Sequence, residues 1–260
     1  MGAAREDDLA GVIDREAFER DGAIRAEDVL QAADIERLRA LADESVGDHP
    51  GARLNGNHWL SSYLSEDAPA RVAAGLTTPA ARPVRAVMFD KSPTANWSVA
   101  WHQDRTVPVR ERREVEGFGP WSLKDGILHV APPFDVLSRM VTLRLHLDEV
   151  DPDNAPLRVA VGSHRLGRTA AGDAAERSRS MEQRVCLAGA GDIWAYRTPI
   201  LHASDRASGD RRRRVLQVDY ADFDLPGGFE WRGWRRRAPT SDWWREGRFR
   251  GSLPQWARSS

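Results

Sequence analysis

The chain has 260 residues, of which 38 are basic and 39 acidic, giving a formal net charge of −1. This length allows one sizeable domain or two small ones with a real hydrophobic core. The balanced charge excludes a general nucleic-acid or membrane-surface binder, because such proteins need a basic excess. Arginine supplies 36 of the basic residues, so Lys91 and Lys124 are the two lysines of the chain.

Targeting and redox signals are sparse in this sequence. Cys186 is the single cysteine, which excludes an internal disulfide framework and a thiolate-rich metal cluster. Residues 1–15 lack an apolar run after a basic patch, and no stretch approaches the roughly 18 apolar residues that a membrane span needs. We therefore expect a cytoplasmic protein that binds neither nucleic acid nor membrane.

Helices are predicted in the first third of the chain. Residues 17–25 predict a short helix, a turn at Asp21-Gly22 and the start of a strand. Residues 27–44 carry apolar side chains at helical spacing. A further helix is expected over 66–76, with Ser65 as its N-cap.

From residue 82 onward, short alternating or apolar runs separated by turn residues predict strands. These runs cover residues 83–90, 97–103, 140–149, 157–161, 183–187, 191–197 and 213–220. Helices followed by many short strands indicate an all-β sandwich or barrel with a helical flank. Residues 110–132 lack periodicity and are rich in glycine and proline, which favours a long lid or binding loop.

The resulting domain prediction is a single unit over residues 1–260. It consists of a helical N-terminal flank at 15–81, a β core at 82–222, and a C-terminal extension at 223–260 that is rich in tryptophan and arginine. Five of the ten tryptophans lie within residues 231–260. Some of these rings are expected to be buried, as a cap over a functional site, in a dimer contact, or against the outside of the β core.

Two His-x-Asp sequences fall on predicted strands, His102-Gln103-Asp104 and His146-Leu147-Asp148. Side chains at i and i+2 share one face of a strand, so such a pair can offer an imidazole and a carboxylate to one metal. Small residues accompany the first pair on its face, which leaves room for a metal, whereas Trp97, Val99 and Trp101 occupy the opposite face as packing residues. The second pair ends a strand before an acidic turn and is the weaker metal candidate. For the first pair, an ordinary strand pair is the favoured interpretation until further ligands are found.

Two further candidates lie downstream. His202 follows a predicted strand and would complete a set of two histidines and one carboxylate, leaving three metal positions open. Arg213 stands eleven residues later at the head of a strand, where a planar guanidinium can pair with a dicarboxylate. Because residues 211–214 are all arginine, only the spacing selects Arg213, and its neighbours are expected to be solvated.

Three runs of sequence, in this order, resemble the phytanoyl-CoA dioxygenase family of Fe(II)/2-oxoglutarate oxygenases. They are FDKSPTANWSVAWHQD, RLHLDEVDPDNAPLRVAVGSHRLG and LHASDRASGDRRRRV, and the resemblance spans about residues 15–232. It implies a double-stranded β-helix, a jelly roll related to the cupins, which agrees with the strand-rich region after residue 82. It also implies that Fe(II), 2-oxoglutarate and O2 take part in the reaction.

The resemblance assigns roles to individual residues. His102, Asp104 and His202 would be the iron ligands, and Arg213 with the Ser204 hydroxyl would hold the distal carboxylate of 2-oxoglutarate. The sequence departs from the usual family pattern at Asn154-Ala155-Pro156 and at Val161, which affects the shape of one loop but none of the implied metal ligands. Related halogenases carry a small residue in place of the carboxylate, so Asp104 favours hydroxylation or another oxidation over halogenation.

Several weaker candidates surround these motifs. Lys91 could contact the cosubstrate or be an ordinary surface lysine. Asn96 and Gln103 flank the metal motif and are candidate 2-oxoglutarate contacts. Candidate substrate-binding residues are Arg144 and His146, which share one face of a predicted strand, and Trp121 in the predicted loop; a satisfied polar strand face is the alternative for the first two.

The sequence therefore predicts a non-haem Fe(II)- and 2-oxoglutarate-dependent oxygenase that hydroxylates an unactivated carbon of a small molecule, releasing succinate and CO2. Two alternatives stay open. One is a cupin-like binding protein without turnover, against which the intact ligand set argues. The other is a peptide or protein hydroxylase with the same chemistry, which an open groove in place of a deep pocket would favour.

Overall fold

A computed structural model describes residues 13–47, 49–54 and 57–232 of the chain. Helices dominate its first part and recur as short segments later. The helices are α1 (Arg15–Asp21), α2 (Ala32–Ser45), α3 (His58–Glu66), α4 (Ala68–Leu76), α5 (Phe134–Ser138) and α6 (Ala174–Arg179), with 3-10 turns at Ser163–Arg165 and Pro226–Gly228. None of the helices in this part of the chain combines the length and apolar character that a bilayer crossing requires.

Strands occupy most of the remaining chain and fall close to the predicted runs. They are β1 (Ala23–Ala26), β2 (Gly51–Arg53), β3 (Arg82–Lys91), β4 (Val99–His102), β5 (Val107–Pro108), β6 (Trp121–Lys124), β7 (Ile127–Val130), β8 (Val141–His146), β9 (Leu157–Ala160), β10 (Gln183–Cys186), β11 (Ile193–Arg197), β12 (His202–Ser204) and β13 (Arg213–Ala221).

The strands form two main antiparallel sheets and one small sheet. The major sheet has the order β1-β11-β8-β13-β3-β2, and the minor sheet has the order β10-β9-β12-β4. The small sheet has the order β5-β7-β6. From β3 onward the chain crosses repeatedly between the two main sheets, with β9 and β10 as a consecutive pair in the minor sheet. This is the pattern of a double-stranded β-helix, so the predicted jelly-roll class is confirmed. Strands β1 and β2 come from the predicted helical flank and extend the major sheet at both of its edges.

The helical flank covers the outer face of the major sheet. Side chains at alternate positions of β8 and β13, such as Leu143 and Leu216, join helix residues such as Leu38 and Leu60 in the largest hydrophobic cluster. The inner face of the same strands is polar, because the strand period of two turns the intervening residues toward the minor sheet. The largest hydrophobic cluster therefore lies outside the major sheet. A smaller cluster, which includes Val159 of the minor sheet and Tyr196 of the major sheet, fills part of the space between the sheets, and the rest is left for a ligand site.

The helix predicted over 66–76 differs from the structure at its start. Two helices are present, and Ser65 lies inside α3 and caps no helix. The Asn57 side chain caps α3 by accepting a hydrogen bond from the Leu60 amide at 2.9 Å. Extended backbone at Asp67 then separates α3 from α4. The two adjacent caps were missed because the apolar spacing of the two helices runs together in the sequence.

The segment 110–132 is also different from its prediction as an irregular loop. It contains the hairpin β6–β7, whose two-residue turn is Asp125-Gly126 with positive φ at both positions. Trp121 lies at the start of β6 and contacts Phe229 with ring centroids 5.9 Å apart. The hairpin and the start of the C-terminal extension thus pack together. The rest of the tryptophan-rich extension, residues 233–260, lies outside the described residues.

Candidate active site and metal centre

A cavity of about 760 Å³ lies between the two main sheets, with the small sheet at one side. Its wall takes side chains from β3, β8 and β13 of the major sheet and from β4, β9 and β12 of the minor sheet. The hairpin contributes Lys124 and Asp125. The volume falls in the range of small-molecule sites, which is about 300–1,000 Å³.

Two histidines face each other across the minor sheet inside this cavity. His102 ends β4, His202 begins β12, and the two residues are direct partners in the antiparallel register. Their ring centroids are 4.2 Å apart. Asp104 follows His102 by two residues, and one ligand atom from each of the three side chains lies within 4.8 Å of the others. The structure therefore brings together the three residues predicted as metal ligands.

Backbone carbonyls fix the orientation of both imidazole rings. His102 Nδ1 lies 2.8 Å from the Ala100 oxygen, and His202 Nδ1 lies 2.9 Å from the Ile200 oxygen. Because a carbonyl oxygen only accepts, Nδ1 carries the proton in each ring and Nε2 keeps its lone pair. Burial, together with the neighbouring His102, lowers the pKa of His202 to about 4, so this ring is neutral at physiological pH.

Arg85 and Gln217 hold the third side chain, Asp104. The Asp104 Oδ2 atom accepts hydrogen bonds from Arg85 Nη2 at 3.1 Å and from Gln217 Nε2 at 3.3 Å. Burial is the largest single effect on the pKa of Asp104 and would raise it. Arg85, His202, His102 and Lys124 together outweigh burial and keep that pKa well below its usual range. Since Oδ2 has two protein donors, Oδ1 is left as the available ligand atom. Two imidazoles and one carboxylate are the donor set that suits non-haem Fe(II).

A cluster of cations lies deeper in the same cavity. Arg213 and Lys91 are register partners on β13 and β3, and both are nearly inaccessible to solvent. Lys91 Nζ donates to the Asp205 carbonyl at 2.7 Å and to Ser204 Oγ at 3.4 Å. Burial and the neighbouring Arg144 lower the pKa of Arg213 to about 9. Burial, Arg213 and Arg144 likewise lower the pKa of Lys91 to about 7.

Arg144 is the third member of this cluster and lies on the inner face of β8. Its Nη1 donates to Gln217 Oε1 at 2.9 Å, whereas its Nε has no partner among the described residues. His146 lies further along the same face, fully buried behind the cavity wall, and both of its ring nitrogens are unpartnered in the described part of the chain. The structure thus brings Arg144, but not His146, to the cavity surface.

The four consecutive arginines have different surroundings. Arg211 pairs with Glu149 and Asp151, Arg212 with Asp90 and Asp43, and Arg214 with Asp148 and Asp43. Arg213 alone of the four points inward, because residues 213, 215, 217 and 219 share the inner face of β13. Its guanidinium donates to the Ala155 carbonyl and meets no carboxylate among the described residues. A buried guanidinium without a counter-ion is a site for an anionic ligand.

Three other predicted site residues do not line the cavity. The Asn96 amide donates to the Ala207 carbonyl at 2.8 Å and accepts from the Ala207 amide at 2.9 Å. Gln103 is buried on the opposite side of β4 from His102, and its amide bonds three backbone groups at 167, 169 and 199. Trp121 lies in the cluster with Phe229. These side chains stabilise loops around the site. They do not line the cavity in which 2-oxoglutarate or substrate contacts were predicted for them.

A β-bulge changes which face of β4 meets the cavity. Between the pairs His202–His102 and Ser204–Val99 the register shifts by one residue on β4. As a result Val99 and Trp97 line the cavity together with His102, although strict alternation placed them on the packing face. Arg85 and Lys124 also line the cavity and were missed as site residues, since neither lies in a recognisable motif.

The fold and the donor set together define a class of protein, the non-haem Fe(II)/2-oxoglutarate-dependent oxygenases. Residues 18–215 match the family model described as phytanoyl-CoA dioxygenase. The chain therefore belongs to the phytanoyl-CoA dioxygenase family, and it is an oxygenase that uses iron, 2-oxoglutarate and dioxygen. No match is found among curated protein sequences.

Several solved structures share this fold. The epimerase SnoN from nogalamycin biosynthesis, described as non-heme and alpha ketoglutarate dependent, is 16% identical, covers 86% of this chain and 92% of its own, and has a TM-score of 0.59. The carbocyclase SnoK from the same biosynthesis is 16% identical over 83% of this chain and 86% of its own, with a TM-score of 0.61. EctD from S. alaskensis is 19% identical over 80% of this chain and 75% of its own, with a TM-score of 0.60. At these identities the likeness describes the fold.

Proposed function

We propose that the protein oxidises a C–H bond of a small molecule, most simply by hydroxylation, with His102, Asp104 and His202 holding the iron. The observation that carries this proposal is the presence, in one cavity, of the three ligands and of a buried cation cluster that meets no carboxylate among the residues the structure describes. Iron bound by these three residues would supply the activation of dioxygen that accompanies decarboxylation of 2-oxoglutarate to succinate and CO2. The carboxylate of Asp104 occupies the ligand position that halogenation would need.

In this proposal the chain binds 2-oxoglutarate through the cation cluster. Arg213 and Lys91 would pair with the distal carboxylate, and Ser204 Oγ would donate to it from the minor sheet. Arg144 adds a third positive charge near the same end of the cavity. A dianion offsets the repulsion among three buried cations, so its binding is expected to stabilise the fold as well as fill the site.

The remaining space supports a metabolite as the second substrate. The cavity volume of about 760 Å³ accommodates 2-oxoglutarate together with a further small molecule. A peptide hydroxylase would accept its substrate along a groove. A screen of small molecules against short peptides, read as stimulated succinate release, separates the two.

The direct test of the proposal is turnover of 2-oxoglutarate. Succinate formation should require Fe(II) and should be lost in His102→Ala and Asp104→Ala. The matched control is His58→Ala, because His58 is exposed at the start of α3 and takes no part in the cavity. Succinate release that persists in either ligand variant would contradict the metal assignment, and its absence from the wild type under every condition would favour a binding protein.

A further inference from the structure

The cavity wall carries more positive charge than 2-oxoglutarate can compensate. Its two carboxylates are Asp104 and Asp125. Arg85 is neutralised by Asp104 and by Asp219, whose Oδ2 lies 2.6 Å from Arg85 Nε. Arg53 is neutralised by Asp125. The cationic residues of the wall are Arg53, Arg85, Lys91, Lys124, Arg144 and Arg213.

Four of these cations are left without a carboxylate partner within the described residues. They are Lys91, Lys124, Arg144 and Arg213. Iron with Asp104 and a bound 2-oxoglutarate dianion carries a net charge of minus one, and Arg85 with Asp219 is neutral. The loaded cavity therefore keeps an excess of three positive charges, or of two if Lys91 is neutral. Burying several charges of one sign destabilises the fold, so binding of a further anion in the cavity would stabilise it.

The excess charge is spread over two ends of the cavity. Lys91 ends β3, and Arg85 precedes it by six residues on the same inner face. Six residues of extended strand span about 20 Å. Lys124 belongs to the Arg85 end, because its Nζ donates to Thr106 Oγ1 at 2.8 Å and Thr106 follows Asp104 by two residues.

One molecule of 2-oxoglutarate cannot contact the cations at both ends of the cavity. A five-carbon diacid that chelates the metal and reaches Arg213 extends away from Asp104 toward the Lys91 end. Lys124 lies near Asp104 and Arg85, at the end of the cavity away from Lys91, and is left for a second substrate. This ammonium group is half-buried and has only a hydroxyl as its hydrogen-bond partner among the described side chains.

We propose that the second substrate carries an oxyanion, a carboxylate or a phosphate monoester, which binds Lys124 at the Arg85 end of the cavity. The inference rests on the proposed function, since it assumes that 2-oxoglutarate occupies the Arg213 end. Arg53 is placed to assist, because it lines the same end and can exchange its exposed partner Asp125 for a ligand oxygen.

The test measures binding to anaerobic protein saturated with Fe(II) and 2-oxoglutarate. The probes are hexanoate, hexyl phosphate, hexan-1-ol and hexylamine, which share one apolar chain and differ in the head group. We expect at least one anion to bind about tenfold or more tightly than the alcohol and the amine, as a charge-assisted hydrogen bond provides. The better of the two anions identifies the substrate class.

Substitutions at and around Lys124 test whether this residue is the source of the preference for anions. Lys124→Gln should remove it, whereas Lys124→Arg should keep it. Thr106→Val removes the hydroxyl partner but keeps the ammonium charge, so it should also keep the preference, and Arg110→Gln, an exposed residue paired with Glu230 outside the cavity, should change nothing.

Three outcomes would overturn the inference: equal binding of anion and alcohol, no binding of either anion, or an unchanged anion preference in Lys124→Gln. The affinity for 2-oxoglutarate, measured first in every variant, separates this inference from the proposed function. If 2-oxoglutarate binds normally and the anion preference is absent, only the substrate inference fails. If 2-oxoglutarate does not bind to the iron-loaded wild type, the proposed function itself fails.

Discussion

Replacing Arg213 by glutamine should weaken 2-oxoglutarate binding by about two orders of magnitude. Arg213 is 2% exposed, and within the described part of the chain its guanidinium donates to the Ala155 carbonyl alone. A hydrogen bond between charged groups contributes about 1.5–3 kcal/mol, and a planar guanidinium can make two to one carboxylate. A loss of about 3 kcal/mol corresponds to roughly a 150-fold increase in the dissociation constant.

Calorimetric titration of 2-oxoglutarate into anaerobic, Fe(II)-loaded protein measures this effect. The matched control is Arg214→Gln, since Arg214 bonds Asp148 at 2.8 Å on the outer face of β13. We expect a change of less than about twofold there, because a charge outside the cavity is screened by solvent. Thermal unfolding of the metal-free Arg213→Gln protein supplies a second measurement, and its midpoint should not fall, because repulsion from Arg144 is relieved.

Two results would refute the reasoning about this arginine. One is an affinity of Arg213→Gln within about threefold of the wild type, which would show that the other cations hold the diacid. The other is a large loss of affinity in Arg214→Gln, which would mean that the strand register at this point is different.

The remaining predictions concern buried charges around the site. In metal-free protein, Lys91→Met should be more stable than the wild type near pH 6.5, and this advantage should shrink as the pH rises from about 7 toward 10.5. In the folded protein the pKa of Lys91 is lowered from 10.5 to about 7. Between pH 7 and pH 10.5 the unfolded chain therefore binds more protons than the folded one, and the stability of the wild type rises with pH. Unfolding midpoints of both proteins at several pH values test this prediction, and a difference in midpoint that does not change with pH would contradict it. Arg85→Gln should lower the free energy of unfolding by about 3 kcal/mol, because it leaves Asp219 buried without its guanidinium partner. Denaturant titration measures this loss, and the double variant with Asp219→Asn should recover part of it; no recovery would mean that the pair is not coupled.

Much of the metal centre could be predicted from local sequence. His102 and Asp104 are two residues apart, and the strand period of two alone places such a pair on one face. His202 and Arg213 came from motif order and spacing, and the structure puts both in the same cavity as the His102 pair. The strand-rich pattern after residue 82 was sufficient for an all-β sandwich or barrel with a helical flank, whereas the double-stranded β-helix came from the family resemblance.

The parts that were missed depend on contacts between distant segments. Arg85 reaches Asp104 only because β3 and β13 are paired and Asp219 turns its guanidinium inward. The bulge on β4 that brings Trp97 into the cavity arises from pairing with β12, which no local pattern encodes. Gln103 has a sequence position beside the metal motif, but its amide is taken up by a loop more than sixty residues away.

Other misses came from turn chemistry. Asp125-Gly126 is a strong two-residue hairpin signal, but the glycines and prolines around it made 110–132 resemble an irregular loop. The structure uses this hairpin to bring Lys124 to the cavity. The candidate substrate contact therefore lies in a segment whose secondary structure was predicted wrongly.

The central claim is that His102, Asp104 and His202 form one metal site on which 2-oxoglutarate binding depends. Anaerobic calorimetry of 2-oxoglutarate binding, with and without Fe(II), tests it most directly. The wild type should bind one 2-oxoglutarate per chain with an affinity that rises steeply when Fe(II) is present, and His202→Ala should lose that dependence. Equal affinity with and without Fe(II) in the wild type, or an unchanged Fe(II) dependence in His202→Ala, would contradict the account.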